Sequence, residues 1–141
     1  MDITQLYTKD NADHGGWITL KDPDGKDTDL KFLVAGAHSE KFRRAIAAAQ
    51  AEQMNRERNR GKRDVTPDDV ELEIDLMSEV LAKCTLDWNA EHDGKAWPCT
   101  YDNAKSVYEN APDVRRQAFA FMSDTRNYFS STSSADSSGK G

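Results

Sequence analysis

The sequence has few of the residues on which metal sites and disulfide scaffolds depend. It contains two cysteines and three histidines in 141 residues. Two cysteines are too few for a disulfide framework. Cys84, His92 and Cys99 are separated by seven and six intervening residues, whereas the ligands of structural zinc sites are paired two to four residues apart. We therefore expect no metal site and no cofactor.

Long apolar runs are also missing. No stretch approaches the roughly 18 apolar residues that a membrane span requires. The first five residues, Met-Asp-Ile-Thr-Gln, have neither the basic region nor the apolar region of a signal peptide. We therefore expect a cytoplasmic protein that does not bind membranes.

Positive charge is in the minority. Nineteen Lys and Arg stand against twenty-five Asp and Glu, which gives a formal net charge of -6. A chain of this charge repels phosphate backbones, so nucleic acid is a poor partner. One segment, residues 56–63, is basic, but Lys and Arg are also favoured at a helix C-terminus and no aromatic residue interrupts them. The candidates for contact with a polyanion are Arg56, Arg58, Arg60, Lys62 and Arg63.

Catalytic motifs are absent from the sequence. No nucleophile, carboxylate pair or phosphate loop has a recognisable signature, and Gly15 and Gly16 lack the context of a phosphate-binding loop. Residues 22–25, Asp-Pro-Asp-Gly, resemble part of a calcium loop, but the twelve-residue pattern and its closing Glu do not follow. The sequence predicts a protein that is not an enzyme.

What is present is a pattern for one α+β domain, mainly α, over residues 16–129. Residues 1–15 are polar and predict a flexible arm. The β-prone runs 17–20 and 30–34 flank the reversal signal Asp-Pro-Asp-Gly, which predicts an N-terminal β-hairpin over residues 16–35. The last twelve residues contain six Ser and no large apolar residue, which predicts a disordered Ser-rich tail over 130–141.

About four helices are predicted after the hairpin. Capping residues Ser39, Thr66 and Thr100, together with Pro67 and Pro112 at first helical positions, mark their starts. Gly61 and the apolar periodicity mark the ends. The predicted helices cover about 40–58, 67–87, 101–110 and 113–129.

The helix over 67–87 has an unusually wide apolar arc that covers about half of its circumference. An arc of this width is typical of a central buried helix and equally of a helix that binds a partner. Large aromatic residues are the other candidates for an interface. The candidates for partner binding or self-association are Leu72, Leu76, Val80, Trp88, Trp97 and Phe119, and Trp17 is a further candidate by residue type.

Three stretches, 85–89, 93–104 and 108–114, resemble the tail assembly chaperones of long-tailed bacteriophages. These proteins often have a helix that ends in a Trp, an acidic Asp-Gly turn, a Pro before a short helix, and a final helix that begins near a Pro. The matching positions here are Trp88, Asp93 and Gly94, Pro98, Asn103 and Ala104, and Pro112. The resemblance extends over about residues 70–129.

The resemblance implies a non-enzymatic chaperone of the infected bacterial cytoplasm that is absent from the mature virion. Such proteins bind the tape measure protein, keep it soluble and help to recruit tail tube subunits. They self-associate, and a frameshifted longer form is common; the end of the chain, Gly139, Lys140 and Gly141, would suit a flexible junction to it. Two alternatives stay open: a small structural tail protein such as a terminator or connector, and a nucleic-acid-binding regulator that uses residues 56–63.

Overall fold

The computed structural model describes residues 2–60 and 67–129, without the side chains of 59–60 and 67–72. The chain is α+β and mainly α, as predicted. In the described ranges the helices are α1 Lys9–His14, α2 Glu40–Arg60, α3 Pro67–Cys84, α4 Tyr101–Asn110 and α5 Pro112–Ser123. The strands are β1 Gly16–Lys21, β2 Asp27–Val34, β3 Thr85–Trp88, β4 Glu91–His92 and β5 Lys95–Ala96, and 3-10 helices cover Ile3–Leu6 and Thr125–Tyr128.

The predicted hairpin is confirmed as the antiparallel pair β1–β2, in which Ile18 lies opposite Phe32. Its turn is held by the Asp22 carboxylate, which accepts hydrogen bonds from the backbone N–H of Asp24 at 2.9 Å and of Lys26 at 3.0 Å. Gly25 has a φ of +83°, a value that favours glycine. These residues therefore form the chain reversal that the sequence predicts between the two strands.

A third strand completes the sheet, and here the prediction of a helix over 67–87 is wrong at its end. The helix stops at Cys84, and β3 pairs antiparallel with β2 so that Trp88 lies opposite Phe32. Thr, Leu and Trp in this segment suit a strand, and the open edge of β2 supplies the partner. A further small hairpin, β4–β5, occupies the predicted turn region, with positive φ at Asp93 and Gly94.

The N-terminal arm is partly ordered, which corrects the prediction of a flexible arm for its second half. Ala12 on α1 is completely buried. A Cβ atom at Gly36 would lie 3.0 Å from the Ala12 methyl group, so a larger residue at this position would have to displace its neighbours by a few tenths of an ångström. Thr8 Oγ1 also lies 2.7 Å from His38 Nε2. Packing of Ala12 against Gly36 thus attaches the arm to the domain.

Capping signals locate the helix starts well. Ser39 Oγ accepts from the backbone N–H of Phe42 at 3.0 Å, and Thr100 Oγ1 accepts from that of Asn103 at 3.1 Å. The predicted last helix over 113–129 is shorter than expected, because Asp124 ends it and caps the 3-10 turn that follows through Arg126 N at 3.0 Å. Thr66 and the predicted tail over 130–141 lie outside the described residues.

The core lies between the inner face of the sheet and the helices. Its largest fully buried side chains include Phe32, Leu81, Tyr108, Met122 and Tyr128. The two tyrosine hydroxyls are satisfied: that of Tyr128 donates to the Val34 carbonyl at 3.1 Å, and that of Tyr108 lies 2.6 Å from Thr85 Oγ1. None of the described helices is long and apolar enough to cross a membrane.

Candidate functional site

An apolar groove lies between α2 and α3 and is the best candidate for a binding site. Its volume of about 430 Å³ falls within the range of about 300–1,000 Å³ that is typical of ligand pockets. Six of its lining residues are aliphatic or Met, and they form its apolar floor. The lining residues are Ile46, Ala49, Gln50, Gln53, Glu73, Ile74, Leu76, Met77, Val80 and Arg115.

The groove is open because the two helices differ in the apolar surface that they present. On α2 the apolar stripe ends at Ala49, and Gln50 and Gln53 take the following positions. On α3 the apolar residues continue along the whole facing surface, through Met77 to Ile74. Short alanine side chains on α2 also fill little of the space between the helices. Part of the apolar surface of α3, at Ile74 and Met77, therefore stays uncovered.

Polar groups surround this floor. Gln50 and Gln53 stand on α2, Glu73 stands on α3, and Arg115 reaches the groove from α5. The Arg115 guanidinium donates to the carbonyl oxygen of Tyr108 at 2.6 Å, which fixes its position. Amide, carboxylate and guanidinium groups around an apolar floor are the arrangement with which proteins orient an amphipathic ligand.

Two of the residues predicted as an interface lie in this groove, but as its floor. Leu76 is 6% exposed and Val80 is 1% exposed. At these two positions the arc is buried, in agreement with the alternative of a central buried helix. The physical reason is that α3 is the central helix, packed against both α2 and α4. The side chain of Leu72 lies outside the described residues.

The predicted aromatic candidates lie elsewhere and do not join the groove. Trp88 is 7% exposed, and its indole N–H donates to the carbonyl of Trp97 at 2.6 Å. The two indoles stack at 5.4 Å, and the half-buried Trp97 also contacts the His92 ring at 4.9 Å. Trp88 is thus a core residue and not available to a partner, which corrects that candidate. Phe119 on α5 is 40% exposed, in agreement with its position off the apolar stripe.

The basic segment is partly neutralised by its own helix. Arg56 and Arg58 are exposed at the end of α2. Arg56 donates to Glu52 at 3.1 Å, so its charge is shared with an acid one turn earlier. The side chain of Arg60, and Lys62 and Arg63 altogether, lie outside the described residues.

The two thiols are placed for packing. Burial raises the pKa of Cys84 from 9.0 to about 12. Burial, followed by the charge of Asp87, raises the pKa of Cys99 to about 11. Both thiols are therefore protonated near neutral pH and are poor nucleophiles. Among the described residues, no group of three or more His, Cys, Asp or Glu is placed to hold a metal ion.

Sequence reasoning missed most of the groove. The stripes on α2 and α3 contain Ile46 and Met77, but a stripe does not show which residues stay uncovered after packing. The change from Ala49 to Gln50 was the available signal, because an apolar stripe that ends before its helix does leaves the facing helix uncovered. Arg115 gave no signal, since it comes from a helix distant in sequence.

Comparison with known proteins adds no relative to this description. No family model, no curated protein and no solved structure matches the chain. The chemistry of the groove is therefore the basis on which a function is proposed.

Proposed function

We propose that the protein is an assembly chaperone that binds amphipathic helices of a longer client chain in the groove between α2 and α3. The observation that supports this most is the apolar floor of the groove, where Ile74 is exposed and Met77 is half-buried beside the buried Leu76 and Val80, within a polar rim. A groove of this kind accepts the apolar face of a helix, which presents side chains at positions i, i+3, i+4 and i+7. The rim amides and charges then meet the polar flanks of that helix.

The resemblance to phage tail assembly chaperones suggests the client. In this proposal the client is the tape measure protein, a long helical chain with many such segments, and a frameshifted longer form recruits tail tube subunits. The protein then acts in the cytoplasm of the infected bacterium, has no catalytic role and is left out of the mature virion. The sequence stretches that carry the resemblance include Trp88, Pro98 and Pro112.

The mechanism is binding by mass action. Each groove contributes one weak apolar contact, and many copies along one client cover its apolar face. Binding lowers the concentration of free, aggregation-prone client. This effect grows as the chaperone concentration rises above the Kd. No covalent step is needed.

Co-expression with the tape measure protein of the same phage tests the proposal. We expect the client to stay in the supernatant after centrifugation when the chaperone is in excess. The variant Ala49→Phe fills the groove from α2 and should return the client to the pellet. The control is Met54→Asp, which changes an exposed residue of α2 that does not line the groove.

Two results would count against the proposal. A client that is insoluble at every ratio of the two proteins removes the chaperone function, and equal activity of Ala49→Phe and the wild type removes the groove as its site. Detection of the protein in purified phage particles would instead favour a structural tail protein. A gel shift with nucleic acid that weakens steeply with salt would favour the regulator that uses Arg56 and Arg58.

A further inference from the structure

The dipeptide Asp-Gly occurs twice in the sequence, at residues 24–25 and 93–94, and each copy lies in the turn of a β-hairpin. In this dipeptide the main chain can react with the aspartate side chain, because glycine has no Cβ to shield its nitrogen. Both glycines are open in this sense: nothing lies within 4 Å of a Cβ atom placed on Gly25 or Gly94. The two turns differ in how the reacting groups are held.

The turn at Asp24 and Gly25 is closed by hydrogen bonds. The backbone N–H of Gly25 donates to the carbonyl of Asp22 at 2.9 Å, and that of Asp24 donates to the Asp22 carboxylate at 2.9 Å. Attack by the Gly25 nitrogen on the Asp24 side chain would first have to break the bond to Asp22. This copy of the dipeptide is therefore protected by its own turn.

The turn at Asp93 and Gly94 is held less tightly. Among the described residues, the Gly94 N–H donates no hydrogen bond. Asp93 has a φ of +55° and is the one residue other than glycine with a positive φ in the described ranges. Such a φ is unfavourable for a residue with a Cβ, so rearrangement of the backbone at Asp93 releases strain. The side chain of Asp93 is 88% exposed and is free to move towards the Gly94 nitrogen.

A proton donor stands beside this carboxylate. His92 Nδ1 lies 3.2 Å from Asp93 Oδ2, which is within hydrogen-bond reach. The His92 ring packs on the indole of Trp97 at 4.9 Å, and that indole stacks on Trp88. These contacts hold the imidazole next to the carboxylate. Residues 22–27, around the other Asp-Gly dipeptide, contain no histidine.

We propose that Asp93 is a site of isoaspartate formation, with His92 as the proton donor. The Gly94 nitrogen attacks Asp93 Cγ, a C–N bond forms, and one carboxyl oxygen leaves as water. The closure to a cyclic imide takes up one proton overall, which His92 supplies. Water then opens the imide at either carbonyl and a proton is released, so that either Asp or isoaspartate results. The reaction needs water alone and does not depend on the chaperone function.

Conversion should disturb the small hairpin. Isoaspartate adds one carbon to the main chain of a two-residue turn, in which His92 pairs with Lys95. The length of a hairpin loop sets the register of its strands, so this pairing cannot be kept unchanged. The carbonyl of Trp97, which follows β5, accepts the hydrogen bond from the Trp88 indole at 2.6 Å. Modification at Asp93 therefore loosens the cover over a buried tryptophan.

Incubation of the purified wild-type protein in water enriched in heavy oxygen tests the proposal. Each opening of the imide inserts one oxygen atom from solvent, and fragmentation of tryptic peptides in a mass spectrometer locates it. We expect label to accumulate at Asp93, partly in a separate isoaspartate peptide on chromatography, and much more slowly at Asp24. Absence of label at Asp93, or equal rates at the two sites, would overturn the proposal. This first measurement needs no variant and therefore no assumption about folding.

Three variants test the assigned groups. Asp93→Glu should lose the label at this position, since its side chain is longer and closes the ring slowly, whereas the control Asp24→Glu should leave labelling at Asp93 unchanged. His92→Phe keeps an aromatic ring against Trp97 and removes the proton donor. Labelling at Asp93 should then slow by about tenfold, less than the roughly hundredfold or more that a proton donor contributes in an enclosed site. Equal rates for His92→Phe and the wild type would overturn the role of His92.

Discussion

The side-chain amide of Gln117 pairs with the backbone of Lys21 as a neighbouring strand would. Gln117 Oε1 accepts from Lys21 N at 2.8 Å, and Gln117 Nε2 donates to Lys21 O at 3.0 Å. Lys21 is the last residue of β1, which is an edge strand of the three-stranded sheet. An unpaired strand edge is a template for aggregation. Helix α5 therefore blocks the outer edge of β1 at this end.

Replacement of Gln117 by Ala should lower the free energy of unfolding by about 1 kcal/mol, since two exposed hydrogen bonds are lost. Urea denaturation measures the change. Gln50→Ala, which alters an exposed glutamine of α2, should be neutral or slightly stabilising because Ala has the higher helix propensity. Equal unfolding free energies for Gln117→Ala and the wild type would show that the pairing contributes nothing.

A buried relay of hydroxyl groups links α4, β3 and α3. Thr85 Oγ1 donates to the Leu81 carbonyl at 2.8 Å and lies 2.6 Å from the Tyr108 hydroxyl. Because the single hydroxyl proton of Thr85 goes to Leu81, Tyr108 is the donor to Thr85. The relay thus has one direction, from Tyr108 through Thr85 to the helix carbonyl.

Substitutions at the two residues of the relay should lower the free energy of unfolding by different amounts. Thr85→Val leaves the buried Tyr108 hydroxyl without its acceptor and should cost about 1–3 kcal/mol, whereas Tyr108→Phe should cost about 1 kcal/mol. A double-mutant cycle by urea denaturation should give a coupling of at least about 0.5 kcal/mol. Additive effects of the two changes would contradict the assigned relay.

Ser78 is a buried polar residue that should lower the stability of the core. Its side chain is fully buried on α3, and its Oγ has no hydrogen-bond partner among the described residues. Ser78→Ala removes this unsatisfied group and improves helix propensity, so thermal unfolding should shift upward by the equivalent of about 1 kcal/mol. Ser123→Ala, at an exposed position on α5, is the control and should change stability by less than about 0.5 kcal/mol. A lower melting temperature for Ser78→Ala would show that the hydroxyl is needed.

Stability should fall in alkaline solution because of Cys84. Burial raises the pKa of its thiol from 9.0 to about 12, so the folded state retains the proton more tightly than the unfolded state does. The stabilisation is fully present below pH 9 and is lost as the pH rises towards 12. The urea midpoint should therefore fall less between pH 8 and pH 11 in Cys84→Ala than in the wild type. Equal falls in the two proteins would contradict this assignment.

Local signals account for the parts of the fold that could be predicted. A capping hydroxyl and the N–H that it accepts are three residues apart, so Ser39 and Thr100 locate two helices without knowledge of the rest. The turn at Asp22 is local in the same sense. Interactions between neighbours in sequence are visible in the sequence itself.

Non-local contacts account for what could not be predicted. The segment Thr85–Trp88 continues the apolar pattern of α3 and becomes a strand only because β2 offers an edge. Ala12 lies in a polar stretch, and it is buried against a glycine 24 positions later in the sequence. The candidate site depends on Arg115 and on the uncovered surface between two helices, and both follow from packing.

The position of β3 has a consequence for the order in which the chain folds. Val34 and Thr85 lie opposite each other in the sheet, although about 50 residues, including α2, lie between them. The β1–β2 hairpin closes over a short turn, whereas joining β3 to β2 carries the larger entropic cost of a long loop. Addition of the third strand is therefore expected late, after α2 and α3 have met. Changes that loosen the helix pair should slow the folding rate even where the sheet itself is intact.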